Sequence, residues 1–187
     1  MKKLTLILGT AILAVSCATA IPITDANREV NNFSFADGTV TWQNVYPFET
    51  RDAEAVRDWF DKSFNITRES GNTIIGETSE NALPIAESGL SRMSVIMLLT
   101  HPCTVYFSTD FKEDRFRVTV NRIIWHPNVA VTTYGITQGV GAMDLNEIAL
   151  KGNGMSSVFY STTSAQLNQM LTYMFTPKLK RSGDDNW

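Results

Sequence analysis

Apolar and polar residues alternate most regularly over residues 103–125, CTVYFSTDFKEDRFRVTVNRIIW. A period of two predicts half-buried β-strands, and the charged residues between the two runs predict the turn of a hairpin. Pairing the runs about a Lys112–Glu113 turn makes one face apolar and the other polar, and a slip of one residue would mix the faces. The expected partners are Phe107 with Val118, Val105 with Val120, Asp110 with Arg115, Ser108 with Arg117 and Tyr106 with Thr119.

Two shorter patterns predict further hairpins. In residues 32–42, NFSFADGTVTW, the turn-forming pair Asp37–Gly38 separates two alternating runs. In residues 65–78, NITRESGNTIIGET, the segment 70–72 separates two strand-like runs in the same way. Glycine next to Asp or Asn favours the tight turns that join antiparallel strands.

Apolar residues recur every three or four positions in residues 50–64, which predicts a helix. Thr50 can cap its N-terminus, and acidic residues follow in the first turn, where the helix dipole favours them. Trp59 lies on the apolar stripe, so we interpret it as a core residue rather than a ligand-stacking one. The stripe consists of Ala55, Val56, Trp59, Phe60 and Phe64.

A second helix is predicted near the C-terminus. Thr163 and Gln166 have the spacing of a capping box, and Pro177 ends the helical pattern. One side of this helix is apolar, and it carries Leu167, Met170, Leu171 and Met174.

The remaining segments have weaker patterns. Residues 79–92 are predicted to form a loop, and residues 90–99 fit either a helix or a buried strand, of which we favour a short helix. Residues 143–150 are compatible with a short helix, and residues 155–161 with an edge strand.

The first twenty residues, MKKLTLILGTAILAVSCATA, have the features of a secretory signal. Lys2 and Lys3 precede an apolar run that is shorter than the roughly 20 residues needed to span a bilayer. The sequence therefore predicts export, to the periplasm or to an outer-membrane-attached position in a Gram-negative bacterium.

Two cleavage sites compete within this leader. Residues 18–20 form an A-x-A site, which would leave a soluble protein beginning at Ile21. Alternatively, LAVSC resembles a lipobox, in which Cys17 becomes the lipidated first residue and a membrane anchor. The apolar run ends directly at Ser16–Cys17, which favours lipidation, whereas Ala14 stands where leucine is commonest.

The predicted organisation is a signal peptide over 1–20, a tether over 21–30, one domain over 31–176 and a polar tail over 177–187. The chain has a net charge of −3, and loss of the two lysines of the leader makes it more acidic. Because non-specific nucleic-acid binding depends on Lys and Arg, we expect no nucleic-acid partner.

No catalytic group or metal site is evident from residue spacing. His101, Cys103 and His126 could meet at one end of the main hairpin, but they lack a metal-ligand spacing. Cys103 is predicted to be a buried, inert thiol, since Cys17 is either lipidated or removed and no disulfide can form. The glycine-rich segment 135–144 does not match a nucleotide-binding motif. The sequence predicts no cofactor.

Five segments together resemble a known family. They are GTVTWQNVY, AEAVRDWFDKSF, NTIIGET, CTVYF and DRFRVTVNRI, within residues 38–125. In order and spacing they are similar to the bacterial domain-of-unknown-function family 4468, which has a TATA-binding-protein-like fold. The resemblance implies an α+β protein with a curved antiparallel sheet of hairpins backed by two main helices. It also implies an exported, often lipidated protein, and it supplies no catalytic residues.

The polar face of the main hairpin is the candidate functional surface. Its charges nearly balance, because four basic and three acidic residues lie between 110 and 122, so a polyanion site is not indicated. A tyrosine and an arginine at its centre are typical of protein interfaces. Two interpretations of this face stay open. It is an ordinary solvated face with cross-strand pairs, or it is a surface for an envelope protein or small ligand, formed by Tyr106, Arg117, Thr119 and Asn121.

The alternative hypothesis is a periplasmic enzyme. Its cleft would lie near His126 and the glycine-rich segment 135–144. No substrate is indicated by the residues, so the non-enzymatic binding protein is the favoured prediction.

Overall fold

The computed structural model describes residues 19–179, apart from 128–129, 134–135 and 140. Its helices are α1 (Ala53–Ser63), α2 (Leu145–Ala149) and α3 (Ser164–Met174). Its strands are β1 (Ala20–Pro22), β2 (Glu29–Val30), β3 (Phe33–Ala36), β4 (Thr39–Pro47), β5 (Asn65–Ser70), β6 (Thr73–Glu77), β7 (Cys103–Phe111), β8 (Arg115–Trp125), β9 (Ala130–Thr133), β10 (Ile136–Gly139), β11 (Met143–Asp144), β12 (Leu150–Lys151) and β13 (Gly154–Ser156).

An eight-stranded antiparallel sheet forms the centre of the protein. Its strand order is β2-β3-β4-β8-β7-β6-β5, and β11 pairs with the far end of β8. All three predicted hairpins occur as neighbouring pairs in this sheet. The two long helices each have eleven residues and pack on one side of it. The predicted α+β fold class is therefore confirmed.

The hairpin of β3 and β4 turns at the predicted residues. Asp37 and Gly38 both have positive φ angles, 52° and 71°, between the paired residues Ala36 and Thr39. Two successive left-handed residues make the turn whose twist matches that of the strands, and glycine adopts this conformation without steric cost.

The predicted register of β7 and β8 is wrong by two residues. Phe107 pairs with Val120 and Asp110 pairs with Arg117, so the turn is centred on residues 113–114. A shift of two residues leaves every side chain on its predicted face, and alternation alone cannot detect it. The observed register places Phe111 opposite Phe116, with ring centroids 5.7 Å apart, and this apolar pair stabilises it.

A β-bulge interrupts this pairing at Asn121. Beyond it, Tyr106 pairs with Arg122 and Val105 pairs with Ile123. Asn121 and Arg122 are both exposed, after which Ile123 and Trp125 face the core. The extra residue thus corrects a change of phase in the apolar pattern of β8.

Helix α1 is shorter at its start than predicted. A single 3₁₀ turn over Thr50–Asp52 precedes it, and its N-cap residue is Asp52, whose side chain makes no capping hydrogen bond. Of the predicted stripe, Val56 and Phe60 are buried, Trp59 and Phe64 are half-buried, and Ala55 is exposed.

The predicted capping box at Thr163 and Gln166 is wrong, because helix α3 continues from a π-helical turn over Phe159–Thr163. The Thr163 hydroxyl donates back to the Val158 carbonyl, 3.3 Å away. Gln166 is buried and holds the loop that precedes the 3₁₀ turn. Its Nε2 donates to the Ser94 carbonyl, and its Oε1 accepts from the amide of Ile96. A capping-box spacing can therefore occur inside a helix when both side chains have other partners.

Two further predictions change in part. Residues 79–92 lack helix and extended strand, as expected, but the predicted helix over 90–99 is reduced to one 3₁₀ turn, Met97–Thr100. Residues 155–161 do not form an edge strand: β13 lies between β1 and β12 in a small second sheet, and the chain is helical from residue 157. A run of seven apolar and small residues suits either structure, and the tertiary contacts decide.

The segment 21–30, predicted to be a tether, contributes to the large sheet and to the small second sheet. β1 pairs with β13, and β2 pairs with β3 at the edge of the large sheet. Most of the predicted signal peptide and the end of the polar tail lie outside the described residues.

Aromatic residues fill the core between the sheet and the helices. The ring of Phe60 lies 5.4 Å from that of Phe116 and 5.8 Å from that of Phe111. On the other side, the Phe175 ring lies 5.1 Å from Phe107 and 6.1 Å from Trp42. Because these rings come from distant parts of the chain, the core joins both long helices to the same strands.

Truncating Phe60 to alanine should lower the free energy of unfolding by about 3–5 kcal/mol, because it leaves a cavity among five other aromatic rings. Urea denaturation measures this change. Asp61→Ala, on the exposed side of the same helix, serves as the control and should change stability by no more than about 0.5 kcal/mol. A loss below about 1 kcal/mol for Phe60→Ala would contradict the packing described.

Candidate functional site

Among the residues that the structure describes, no helix covers one face of the large sheet, and we call this the open face. It is formed by the outward side chains of β4, β8, β7 and β6, while the opposite side chains of the same strands are buried. Strand pairing arranges it in three cross-strand rows. They are Val45–Arg117–Asp110–Thr73, Gln43–Thr119–Ser108–Ile75 and Arg122–Tyr106–Glu77.

A hydrogen-bonded carboxylate lies at the centre of the first row. Arg117 Nη2 donates to Asp110 Oδ2 over 2.9 Å, and Thr73 Oγ1 donates to Asp110 Oδ1 over 2.9 Å. The bond from Arg117 holds the pKa of Asp110 below its usual value, Thr73 adds to this effect, and partial burial opposes it. The carboxylate is thus kept ionised and fixed on the sheet.

The other rows are also ordered by side-chain contacts. Gln43 Nε2 donates to Thr119 Oγ1 over 3.1 Å. Arg122 lies over the Tyr106 ring, 5.7 Å from its centroid, and its Nε donates to Asp144 Oδ2 over 3.0 Å. These contacts already restrict the side chains, which reduces the conformational entropy that they would lose when a partner binds.

The structure places the four predicted surface residues on one face. Arg117 and Thr119 point outward from β8, Asn121 lies at the bulge, and Tyr106 lies across from Arg122. The pattern of the main hairpin does not indicate the apolar members of the surface, because they lie on strands that are distant from this hairpin in sequence. These are Val45 and Ile75, which are 51% and 40% exposed.

His101, Cys103 and His126 lie at the same end of the main hairpin, but the Cys103 thiol is too deeply buried to act as a nucleophile or a metal ligand. The backbone amide of His126 donates to the Pro102 carbonyl over 2.9 Å. Cys103 is 1% exposed, and burial raises its pKa to about 12, so its thiol remains protonated at neutral pH. Within the described ranges, no three His, Cys, Asp or Glu side chains are arranged to hold a metal ion.

The glycine-rich segment 135–144 lies partly outside the described residues, and it contributes β10, which pairs with the preceding strand β9. A separate groove of about 350 Å³ opens between α1, β7 and the end of α3. Trp59, Cys103 and Tyr173 are among the residues that line it. Trp59 packs edge-on against Phe60 and Phe64, consistent with its interpretation as a core residue.

No protein-family model and no curated protein matches the chain. Among solved structures, it is similar to the crystal structure of a DUF4468 family protein from Bacteroides ovatus. The match covers 85% of this chain and 99% of that chain, with 12% identity and a TM-score of 0.43. The predicted resemblance to family 4468 is confirmed. At this identity and TM-score the likeness carries no argument about function.

Replacing Arg117 with methionine should raise the pKa of Asp110 toward the ordinary value of about 3.9, because it removes the main hydrogen bond to the carboxylate. A nuclear magnetic resonance titration of the Asp110 carboxyl measures this change. A lowered pKa stabilises the fold above the ordinary value, and this contribution is lost as the pH falls through the folded-state pKa. The acid-induced loss of stability should therefore be less steep in the variant.

Arg115→Met is the matched control. Arg115 pairs with Asp114, 3.7 Å away, and not with Asp110. The Asp110 pKa should therefore keep its lowered value in this variant. A rise with Arg115→Met, and none with Arg117→Met, would contradict the observed strand register.

Proposed function

We propose that this protein is an exported, lipid-anchored, non-enzymatic protein of the cell envelope that binds a partner protein through its open face. The proposal is based on the composition and order of the open face. It is an ordered surface of four central strands with exposed apolar, aromatic and guanidinium groups, opposite a fully packed core. Such a mixture is typical of the centre of protein interfaces.

The charges of the open face favour a protein over a polyanion. Within its three rows, Arg117 and Arg122 are balanced by Asp110 and Glu77. The Asp110 carboxylate would also repel phosphate groups from the centre of the face. Val45 on β4 and Ile75 on β6 flank the central pair of strands, β8 and β7, and would contact apolar side chains of a partner.

The leader supports export and anchoring. Its basic start, its apolar run and the LAVSC segment are the features of a lipidated signal. Among the described residues, no helix is both long and apolar enough to cross a bilayer. Attachment through acyl chains on Cys17 would hold the domain on a membrane surface.

The double variant Arg117→Ala/Tyr106→Ala should lose the partner while keeping the fold, because both side chains are on the open face and outside the core. The protein is expressed in its own host, cross-linked in intact cells and recovered with its partner from detergent-solubilised envelope. Partner recovery should fall at least tenfold, with an unchanged circular dichroism spectrum.

Arg51→Ala is the control, since Arg51 is exposed and lies before α1, away from the open face. Its recovery of the partner should equal that of the wild type. Equal recovery by the double variant would show that the open face is not the binding surface.

A further inference from the structure

The first strand of the fold begins closer to Cys17 than the leader pattern suggests. The amide of Thr19 donates to Ser157 Oγ over 3.1 Å, and the amide of Ser157 donates to the Thr19 carbonyl over 3.0 Å. Ala20 then pairs with Ser156, and Ile21 with Met155. Residues 19–20, which an A-x-A cleavage would remove, are therefore built into the second sheet.

Strand β13 is fitted closely to this segment. A Cβ atom at Gly154 would lie 2.5 Å from the Ile21 carbonyl oxygen, so only glycine allows the two backbones to approach in this way. Met155 is fully buried, and the following π-helical turn brings Phe159 edge-on to Phe33, 5.2 Å away. Through these contacts β1 is fastened to the core.

This geometry distinguishes the two cleavage sites. Cleavage after Ala20 removes both hydrogen bonds of Thr19 and leaves a charged amine on Ile21 within the strand. Cleavage before Cys17 leaves the whole strand intact. Only one residue, Ala18, then separates the lipidated residue from Thr19.

From this placement we propose that the mature chain begins at a lipidated Cys17, three residues before β1, so that the bilayer meets the β1–β13 side of the domain rather than the open face. The proposal rests on the lipid anchor of the proposed function, and it adds a structural reason for cleavage before Cys17 and the orientation of the domain. Chemically, Cys17 Sγ bonds to the glyceryl carbon of a membrane phospholipid, whose phosphate head group leaves with the thiol proton. Water then hydrolyses the Ser16–Cys17 peptide bond.

The short link between Cys17 and Thr19 limits how the domain can be oriented on the membrane. Two residue steps span at most about 7 Å, whereas packed layers of a protein are about 10 Å apart. β1 pairs with β13, which leads into Phe159 on the core side of the sheet, so an anchor two residues before Thr19 is held near that side. Tyr160 lies three residues after Ser157 and is 36% exposed, and tyrosine is enriched where proteins meet the surface of a bilayer.

The first experiment compares two soluble forms, beginning at Ala18 and at Ile21. The form beginning at Ile21 should have a thermal midpoint about 2–6 °C lower, or fail to fold, because it lacks the hydrogen bonds of Thr19. Equal midpoints would overturn the argument from β1.

The intact mass of the protein from its own host tests the cleavage site directly. A chain beginning at Cys17 and carrying acyl groups is expected. A chain beginning at Ile21 would overturn this inference and the lipid anchor of the proposed function, whereas export and binding through the open face, which partner recovery tests separately, would stand. A chain still beginning at Met1 would contradict export, and with it the proposed function.

The orientation is tested with the lipidated protein in phospholipid vesicles that contain nitroxide-labelled lipid. A fluorophore is attached to Tyr160→Cys or, as the matched variant, to Thr119→Cys on the open face. Cys103 should not react, because it is buried and its pKa is raised. Quenching should be at least twofold stronger at position 160. Equal quenching, or stronger quenching at position 119, would overturn the proposed orientation.

Discussion

The packing of Phe60 and Phe175 against one face of β7 and β8 is the interaction on which the rest of the structure depends. Phe60 comes from α1 and Phe175 follows α3, so both long helices are held on the same side of the sheet. Burial of aromatic side chains of this size is the largest favourable contribution available to a domain of this length. Because every second residue of these strands faces the core, the residues between them must face outward, and the open face is the consequence.

The strand register determines what the open face can do. In the observed register, Arg117 lies beside Asp110 and Thr73 completes the carboxylate's partners. The bulge at Asn121 then moves Arg122 beside Tyr106 and within reach of Asp144. Arg117 and Arg122 thereby each have an acidic partner within the protein, which orders this part of the surface.

The proposed anchor and the proposed binding surface would be connected through the second sheet. β1 links the N-terminal leader to β13, and β13 leads into the helix that contacts the core. A link of one residue between Cys17 and Thr19 would restrict the orientation of the domain relative to the membrane. A ten-residue tether would allow the domain to rotate freely. The same strand that completes the fold would therefore present the open face to partners away from the bilayer.

Local patterns were sufficient to predict the three hairpins, the two long helices and the outward direction of Tyr106, Arg117, Thr119 and Asn121. Alternation and helical spacing record which side of each element is buried, and these features are local. The pairing of Arg117 with Asp110, the inclusion of Val45 and Ile75 in the surface, the role of Gln166 and the strand at Thr19 were decided only by the tertiary structure. Each depends on contacts between residues distant in sequence, and a two-residue shift or a buried polar side chain leaves the local pattern of apolar residues unchanged.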